Sequence, residues 1–488
     1  MVRSMLLEAN PYRVRVALKD GDRITDLFVE RVDQHGAVGN IYKGRVTRVL
    51  PGMDAAFVDI GLARDAYLYA GDLLVESTAG EGEEVALPAV GDVLHPGEGI
   101  LVQVRRDAMP NKGARVSMEI SLPGRFLVWM PQGSGVGISR RITDPEERER
   151  LEEEILAGLA DVAGGLIIRT AGRGRPLERL RADFDMLQAA WEEIQEKART
   201  ESSPKLLYRE HDLAVRAVRD LFRADVDELW VDGDSTYDRI LGYLHRSAPA
   251  MVDRVRRAEV PGYLFDQTGV EREITRARKR RVWLPSGGHI VIQPTEALVS
   301  IDVNTGRYVG KEALEKTVLQ TNLEAAEEIA HQLRLRDLGG LIVVDFIDMA
   351  EEESREQVFD LLQSALERDH QRTRMLGFSE FGLVQITRRR ARIDLGRLLT
   401  EVCPTCKGRG RIPEALSVCL QMRRDLLYGP LLSGSGQARV RLHPDTLAAL
   451  ESRHLALKRE LDEHFQGRLE WVAAPAIKRH EFLIEELP

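Results

Sequence analysis

Two apolar runs in the middle of this chain each deliver an aspartate at or near their end, and a stable fold has to accommodate both charges. Ala297-Leu298-Val299-Ser300-Ile301-Asp302 and Leu341-Ile342-Val343-Val344-Asp345-Phe346 have the length and β-branched content of buried strands. A carboxylate there needs a compensating partner. Two in one domain point to a shared cation, and a hard cation on oxygen ligands suits chemistry on a phosphate. In the first run Val299 and Ile301 share a face, so Asp302 turns the other way with Ser300 and Asn304. Gly306 follows, where the backbone can turn away. Leu314, Val318, Ala325, Ala326, Ile329 and Leu333 form a one-sided stripe on a helix expected from about residue 311 to 333. Gly339-Gly340 then open the second strand, so strand, helix and strand read as a crossover unit that sets Asp302 beside Asp345 if the strands are parallel neighbours. The competing reading has one aspartate capping a helix and the other pairing with an arginine.

The formal net charge of −9 argues against a nucleic-acid binder, yet the basic residues are unevenly placed. Arg276, Arg278, Lys279, Arg280 and Arg281 form one cluster, and Arg388, Arg389, Arg390 and Arg392 another. Such clusters are usually solvated faces; lying near paired carboxylates adds weight to the alternative of a polyanion site. Only three cysteines occur, and the start lacks the apolar stretch and cleavage site of a secretory signal. No apolar run approaches the roughly 20 residues needed to cross a bilayer. A multidomain cytoplasmic protein is expected, with several cores in 488 residues that are 43% hydrophobic.

Residues 12 to 32 alternate as a hairpin too small to stand alone. Residues 39 to about 118 have the strand density of a small barrel. A mixed stretch follows, with helices from 145 to about 160 and from 177 to 198 around a strand at 166 to 170. The segment from about 210 to 278 is placed to complete the orphan hairpin. Residues 279 to 400 alternate strand and helix as an α/β domain. A Cys/Gly-rich link at 401 to 414 precedes a short terminal domain.

Three further motifs carry chemistry. Cys403 and Cys406, with Gly408 and Gly410 behind them, have the spacing of a zinc knuckle. Structural zinc wants four ligands and the chain has no second pair, since Cys419 is solitary. The simplest completion is the same pair from another subunit, which predicts a twofold dimer. A redox pair would need a helix starting at the motif. In the barrel, Ala56, Val58 and Ile60 share one face and Phe57 looks outward. Tyr67 does so beside Leu68. Outward aromatics with Lys43, Arg45 and Lys112 suit stacking of unpaired bases, against the ordinary alternative of core aromatics. Finally, Leu166-Ile167-Ile168-Arg169-Thr170-Ala171-Gly172-Arg173-Gly174-Arg175 is a strand breaking into a Gly/Arg loop, an anion site or a solvated basic loop.

Ser300-Ile301-Asp302-Val303-Asn304, Val343-Val344-Asp345-Phe346-Ile347-Asp348-Met349 and Cys403-Pro404-Thr405-Cys406-Lys407-Gly408-Arg409-Gly410, taken together, closely resemble the ribonuclease E/G family. The resemblance runs through essentially the whole chain, and the length fits members without a long disordered C-terminal scaffold. It implies a multidomain α/β and α+β fold. An RNase H-like subdomain (1–35 and 215–278) is interrupted by an S1-type OB RNA-binding barrel (36–118) and a 5′-sensor region (119–214). A DNase I-like catalytic domain (279–400), a zinc link (401–414) and a small C-terminal domain (415–488) follow. It further implies Mg²⁺ on Asp302 and Asp345, assisted by Asn304, and cleavage of single-stranded RNA to 5′-phosphate and 3′-hydroxyl ends. Phe57, Tyr67 and Lys112 match RNA contacts, Tyr67 standing where a Phe is expected. Gly124, Val128, Arg169, Thr170 and Arg372 match the residues that bind a 5′-monophosphate, and a zinc-sharing homodimer, or a dimer of dimers, is implied. The alternatives are the catalytic half of a longer family member, and an RNA-binding regulator that does not cut.

Overall fold

The computed structural model describes residues 2–34, 36–74, 89–108, 112–159, 162–306, 314–390, 393–429 and 437–487. The expected helix start at 311 and Arg392 lie outside them. The chain falls into two compact units, residues 1–398 and 399–488.

In the larger unit, the N-terminal strands Arg3–Ala9, Arg13–Asp20 and Arg23–Arg31 form an antiparallel meander, and Glu228–Asp232 pairs in parallel with the first of them. Both sides of this sheet are covered, so the middle of the first two strands is buried on both faces. Met5, Leu7, Val16, Leu18, Leu229 and Val231 pack on Phe222, Ile240 and Leu244. On the other side Glu8 and Arg15, cross-strand partners, make a buried ion pair beneath Phe265.

A five-stranded barrel follows. Ile41–Leu50, Ala55–Asp59, Ala66–Tyr69, Arg115–Ser117 and Gly99–Arg106 pair in that order, and the last returns to the first to close it. The inward residues Ala56, Val58, Leu68, Val102, Val104 and Val116 fill it. A closed barrel in a mixed α/β chain agrees with the expected architecture. Beside it, a small sheet of Leu122–Pro123, Leu127–Met130, Gly165–Ile168 and Val136–Ile138 is backed by helices Pro145–Gly158 and Leu177–Thr200 through Trp129, Phe184 and Trp191.

The central sheet has six strands in the order Arg281–Trp283, His289–Pro294, Leu298–Asn304, Gly340–Asp345, Leu383–Arg388 and Thr373–Leu376. Helices Leu314–Leu335 and Glu352–Glu367 cover one face, where Ile290, Ile301, Ile342, Val344 and Ile386 bury against Ala325, Ile329, Val358 and Leu362. The helix that follows the first aspartate strand buries Val318, Ala325, Ala326, Ile329 and Leu333 of the apolar stripe read from the sequence. Among the described residues no helix is long and apolar enough to cross a membrane.

The smaller unit packs helix Ala415–Tyr428 and helices Pro444–Glu451 and Leu455–His464 with a three-stranded sheet, Leu469–Ala473, Gln437–Leu442 and Phe482–Leu487. Cys419 is a buried core residue there.

Candidate functional site

The strands that carry the two aspartates are parallel neighbours, and Asp302 and Asp345 are register partners at their C-terminal ends. Partners in register project to the same side. That side is the sheet's open face, and both carboxylates are exposed on it. Asn304 shares the face, and its Nδ2 donates to Asp302 Oδ2 at 2.7 Å. The sequence reading missed Asn322. Fully buried in the covering helix, it brackets the chain after Asp345, donating to the Ile347 carbonyl at 2.8 Å and accepting from the Ile347 N–H at 3.1 Å. A polar residue inside an apolar helical stripe was the signal. Gly306 has a different role from the one expected. Its backbone approaches Gly287 so closely that a side chain would strike the Gly287 carbonyl, so glycine serves contact rather than turning.

The two basic clusters part ways. Arg281 lies in the same cross-strand row as Val291, Asp302, Asp345 and Leu383, on the open face. Arg388 instead pairs in register with Gly340, at the far end of the Asp345 strand. Its guanidinium is buried between Asp369 and Asp337, at 2.7 Å from each. Arg390 donates to the Gly339 carbonyl at 2.8 Å. Arg388 and Arg390 therefore brace the sheet. His289, the register partner of Asn304, is driven below its usual pKa by burial and by Arg281, while Asp302 pulls the other way.

On the barrel, Phe57 and Tyr67 are cross-strand partners, their rings 6.0 Å apart edge-to-face and both half-buried. The Arg48 guanidinium lies 5.2 Å from the Phe57 ring centre. Lys112 is exposed just before the strand Arg115–Ser117, which pairs with the Tyr67 strand. Lys43 and Arg45 are not in this group. Lys43 Nζ donates to the carbonyls of Ala198 and Glu201, closing a helix C-terminus, and Arg45 binds the Ser203 carbonyl. Their charge is used inside the protein.

Strand pairing of Leu127 with Ile168 gathers Gly124, Val128, Arg169 and Thr170. Arg169 donates to the Gly124 carbonyl and to Asp220 Oδ1, both at 2.6 Å, and the Thr170 and Ser139 hydroxyls are 3.1 Å apart. Buried Asp183 accepts the N–H groups of Arg125, Phe126 and Leu127. A Cβ on residue 124 would run into that carboxylate, so only glycine fits. Burial pushes the Asp183 carboxyl up against the pull of the three N–H groups. Arg372 is exposed on a loop tied to this region by Arg141, which donates to the His370 carbonyl at 2.9 Å. Asp183, Asp220, Ser139 and Arg141 were not singled out from the sequence. Asp183 was detectable as an acid at a core position of its helix, between Leu180 and Phe184.

In the smaller unit Cys403 and Cys406 sit in tight turns closed by Lys407 N–H to the Cys403 carbonyl and Arg409 N–H to the Cys406 carbonyl. Gly408 and Gly410 take the left-handed conformation these turns require. The N–H groups of Cys406 and Thr405 pull the Cys403 thiol pKa down. Among the described residues no group of three or more His, Cys, Asp or Glu side chains is poised to hold a metal.

The model of the ribonuclease E/G family matches residues 121–391, from the pocket through the open-faced sheet. Ribonuclease G of Escherichia coli K12 is 41% identical over 430 residues, 88% of each chain. Ribonuclease G of Haemophilus influenzae is 39% identical over 426 residues, 87% of each. Ribonuclease E of Escherichia coli K12 is 38% identical over 430 residues, which is 87% of this chain and 40% of that protein.

Proposed function

The chain belongs to the ribonuclease E/G family and is an endoribonuclease. We propose that it is of the ribonuclease G type, cutting single-stranded RNA in a Mg²⁺-dependent reaction that leaves 5′-phosphate and 3′-hydroxyl ends. The observation that carries this is the in-register pairing of Asp302 and Asp345 on an open sheet face. Two exposed carboxylates with an amide alongside fit Mg²⁺, which takes oxygen ligands and keeps several waters. Bound there, Mg²⁺ supplies positive charge where the phosphodiester gains negative charge. Asn304 orients the Asp302 carboxylate, and Asn322 fixes the loop behind Asp345.

Phe57, Tyr67 and Lys112 hold unpaired RNA on the barrel, the rings by stacking and the lysine by charge. Arg169, Thr170 and Arg372, with the backbone at Gly124 and Val128, take the 5′-monophosphate and so couple cleavage to the state of the RNA end. The N-terminal sheet with residues 215–278 corresponds to an RNase H-like subdomain, residues 119–214 to the 5′-sensor region, and the open-faced sheet to a DNase I-like catalytic domain. Cys403 and Cys406 fit half of a zinc site; a second subunit supplies the other half and makes a homodimer. The protein acts in the cytoplasm on rRNA maturation and mRNA turnover.

The test incubates 5′-monophosphorylated and 5′-triphosphorylated oligonucleotides with Mg²⁺ and wild type, Asp302→Asn or Asp345→Asn. Wild type should cut the monophosphorylated RNA faster, and each variant should lose at least about a thousandfold in rate, since charge stabilisation of this kind is worth several kcal/mol. Undiminished cutting by either variant refutes the metal assignment. Chelating zinc should halve the mass in ultracentrifugation, as should Cys403→Ser with Cys406→Ser; an unchanged mass refutes the zinc dimer.

A further inference from the structure

The edge strand Arg281–Trp283 displays the molecule's most exposed tryptophan, 60% accessible, on the same face as the aspartate pair. Trp283 pairs in register with His289, and His289 with Asn304, so the three form a row across the open face ending beside Asp302. Neighbouring strands lie about 4.8 Å apart, which puts Trp283 roughly 10 Å from Asn304. Its ring leans on His289, centroids 5.1 Å apart, and the Arg281 guanidinium lies 5.6 Å from its centre. Leading into this strand, Arg278, Lys279 and Arg280 are exposed, and with Arg281 make no ion pair among the described residues.

An indole held in water by its own fold forgoes about 2 kcal/mol or more of burial, so its position calls for a ligand. Resting on the catalytic reading of Asp302 and Asp345, we propose that Trp283 and Arg281 form a nucleotide subsite, in which the indole stacks on the base one or two positions from the scissile phosphate. The exposed ring takes any base, because every base has a π-face, and Arg281 is free to swing from the ring face to the adjoining phosphate as the base stacks. The basic run before it carries the strand onward. This subsite lies within the catalytic domain, apart from the barrel aromatics and the RNA-end pocket, and so sets where the chain is cut rather than which chain is bound.

The experiment scans one abasic nucleotide through a cleavable single-stranded RNA, using wild type, Trp283→Leu and Trp283→Phe. Base stacking on an aromatic is worth about 1–3 kcal/mol. In wild type, an abasic nucleotide at one position next to the cut should lower kcat/KM about tenfold. Trp283→Leu should already be slower on intact RNA by a similar factor and indifferent to that position, while Trp283→Phe should retain part of the sensitivity. A second readout is tryptophan emission with RNA and EDTA, where no cutting occurs. Of five tryptophans Trp129 and Trp191 are buried, Trp230 and Trp471 part-buried and only Trp283 exposed beside the aspartate pair, so RNA should quench wild type and leave Trp283→Phe nearly unchanged. A flat scan in an actively cutting wild type, or equal quenching of the variant, overturns the subsite. Emission that follows protein concentration and ignores RNA overturns it in favour of a contact between protein chains. Absence of cutting with quenching intact would instead refute the catalytic reading and leave the stacking site standing.

Discussion

On the open face of the catalytic sheet Asp302 and Asp345 stand exposed, and among the described residues only Asn304 is hydrogen-bonded to either carboxylate. In the proposed RNA-end pocket the charges are braced internally: Arg169 is held by Asp220 and the Gly124 carbonyl, Arg219 by Asp220 and Glu210, and Asp183 by three N–H groups. The difference fits what each is proposed to meet. Carboxylates that share a cation gain their compensation from the ligand, so the fold leaves them in water, where two like charges are tolerable. On the proposed reading Arg169 discriminates one phosphate from three, which requires a guanidinium held in one geometry before the ligand arrives, and internal carboxylates supply that.

Two substitutions sharpen this contrast. Asp345→Asn should lower cleavage of monophosphorylated and triphosphorylated RNA by the same large factor, at least about a thousandfold, with melting unchanged because the carboxylate is exposed. A loss confined to one RNA end would break the separation of the two sites. Arg169→Ala should act the other way, lowering cleavage of monophosphorylated RNA by about tenfold to a hundredfold, the worth of a charge-assisted hydrogen bond, and leaving triphosphorylated RNA nearly untouched. Gly124→Ala should reproduce that selectivity loss without removing any charge, since its Cβ meets Asp183.

The placement of the aspartate pair was largely legible in the sequence because period-two alternation assigns faces and a crossover unit assigns neighbours. From these alone Asp302, Asn304 and Asp345 were expected together, and the register joins them. The basic clusters show where that reasoning ends. Arg281 and Arg388 look alike in sequence, but one faces the active surface and the other is buried between two aspartates, and this depends on which end of a strand each occupies. Lys43 likewise reads as an RNA contact until the helix carbonyls it closes are in place. Charge has no period, so its partners come only from the tertiary structure.

The smallest expected effect belongs to Asp220, which touches Arg169 and on the proposed reading positions it for the RNA end. Asp220→Asn keeps the shape and removes the charge, so the preference for a 5′-monophosphate should fall about fivefold at neutral pH, the worth of about 1 kcal/mol of hydrogen bonding. Burial opposes ionisation of this carboxyl, but the Arg219 and Arg169 guanidiniums outweigh burial and hold it below the usual carboxylate range. A carboxyl depressed in the folded state stabilises fully above its unfolded pKa of about 3.9, and that contribution fades as pH falls through the lower folded value. The melting gap between wild type and Asp220→Asn should therefore stay constant from pH 7 to about pH 4.5 and narrow only below about pH 4. A gap that closes between pH 7 and pH 5 would mean that Asp220 is not held ionised by its arginines. The pocket would then share the catalytic face's strategy of waiting for its ligand to supply the missing charge.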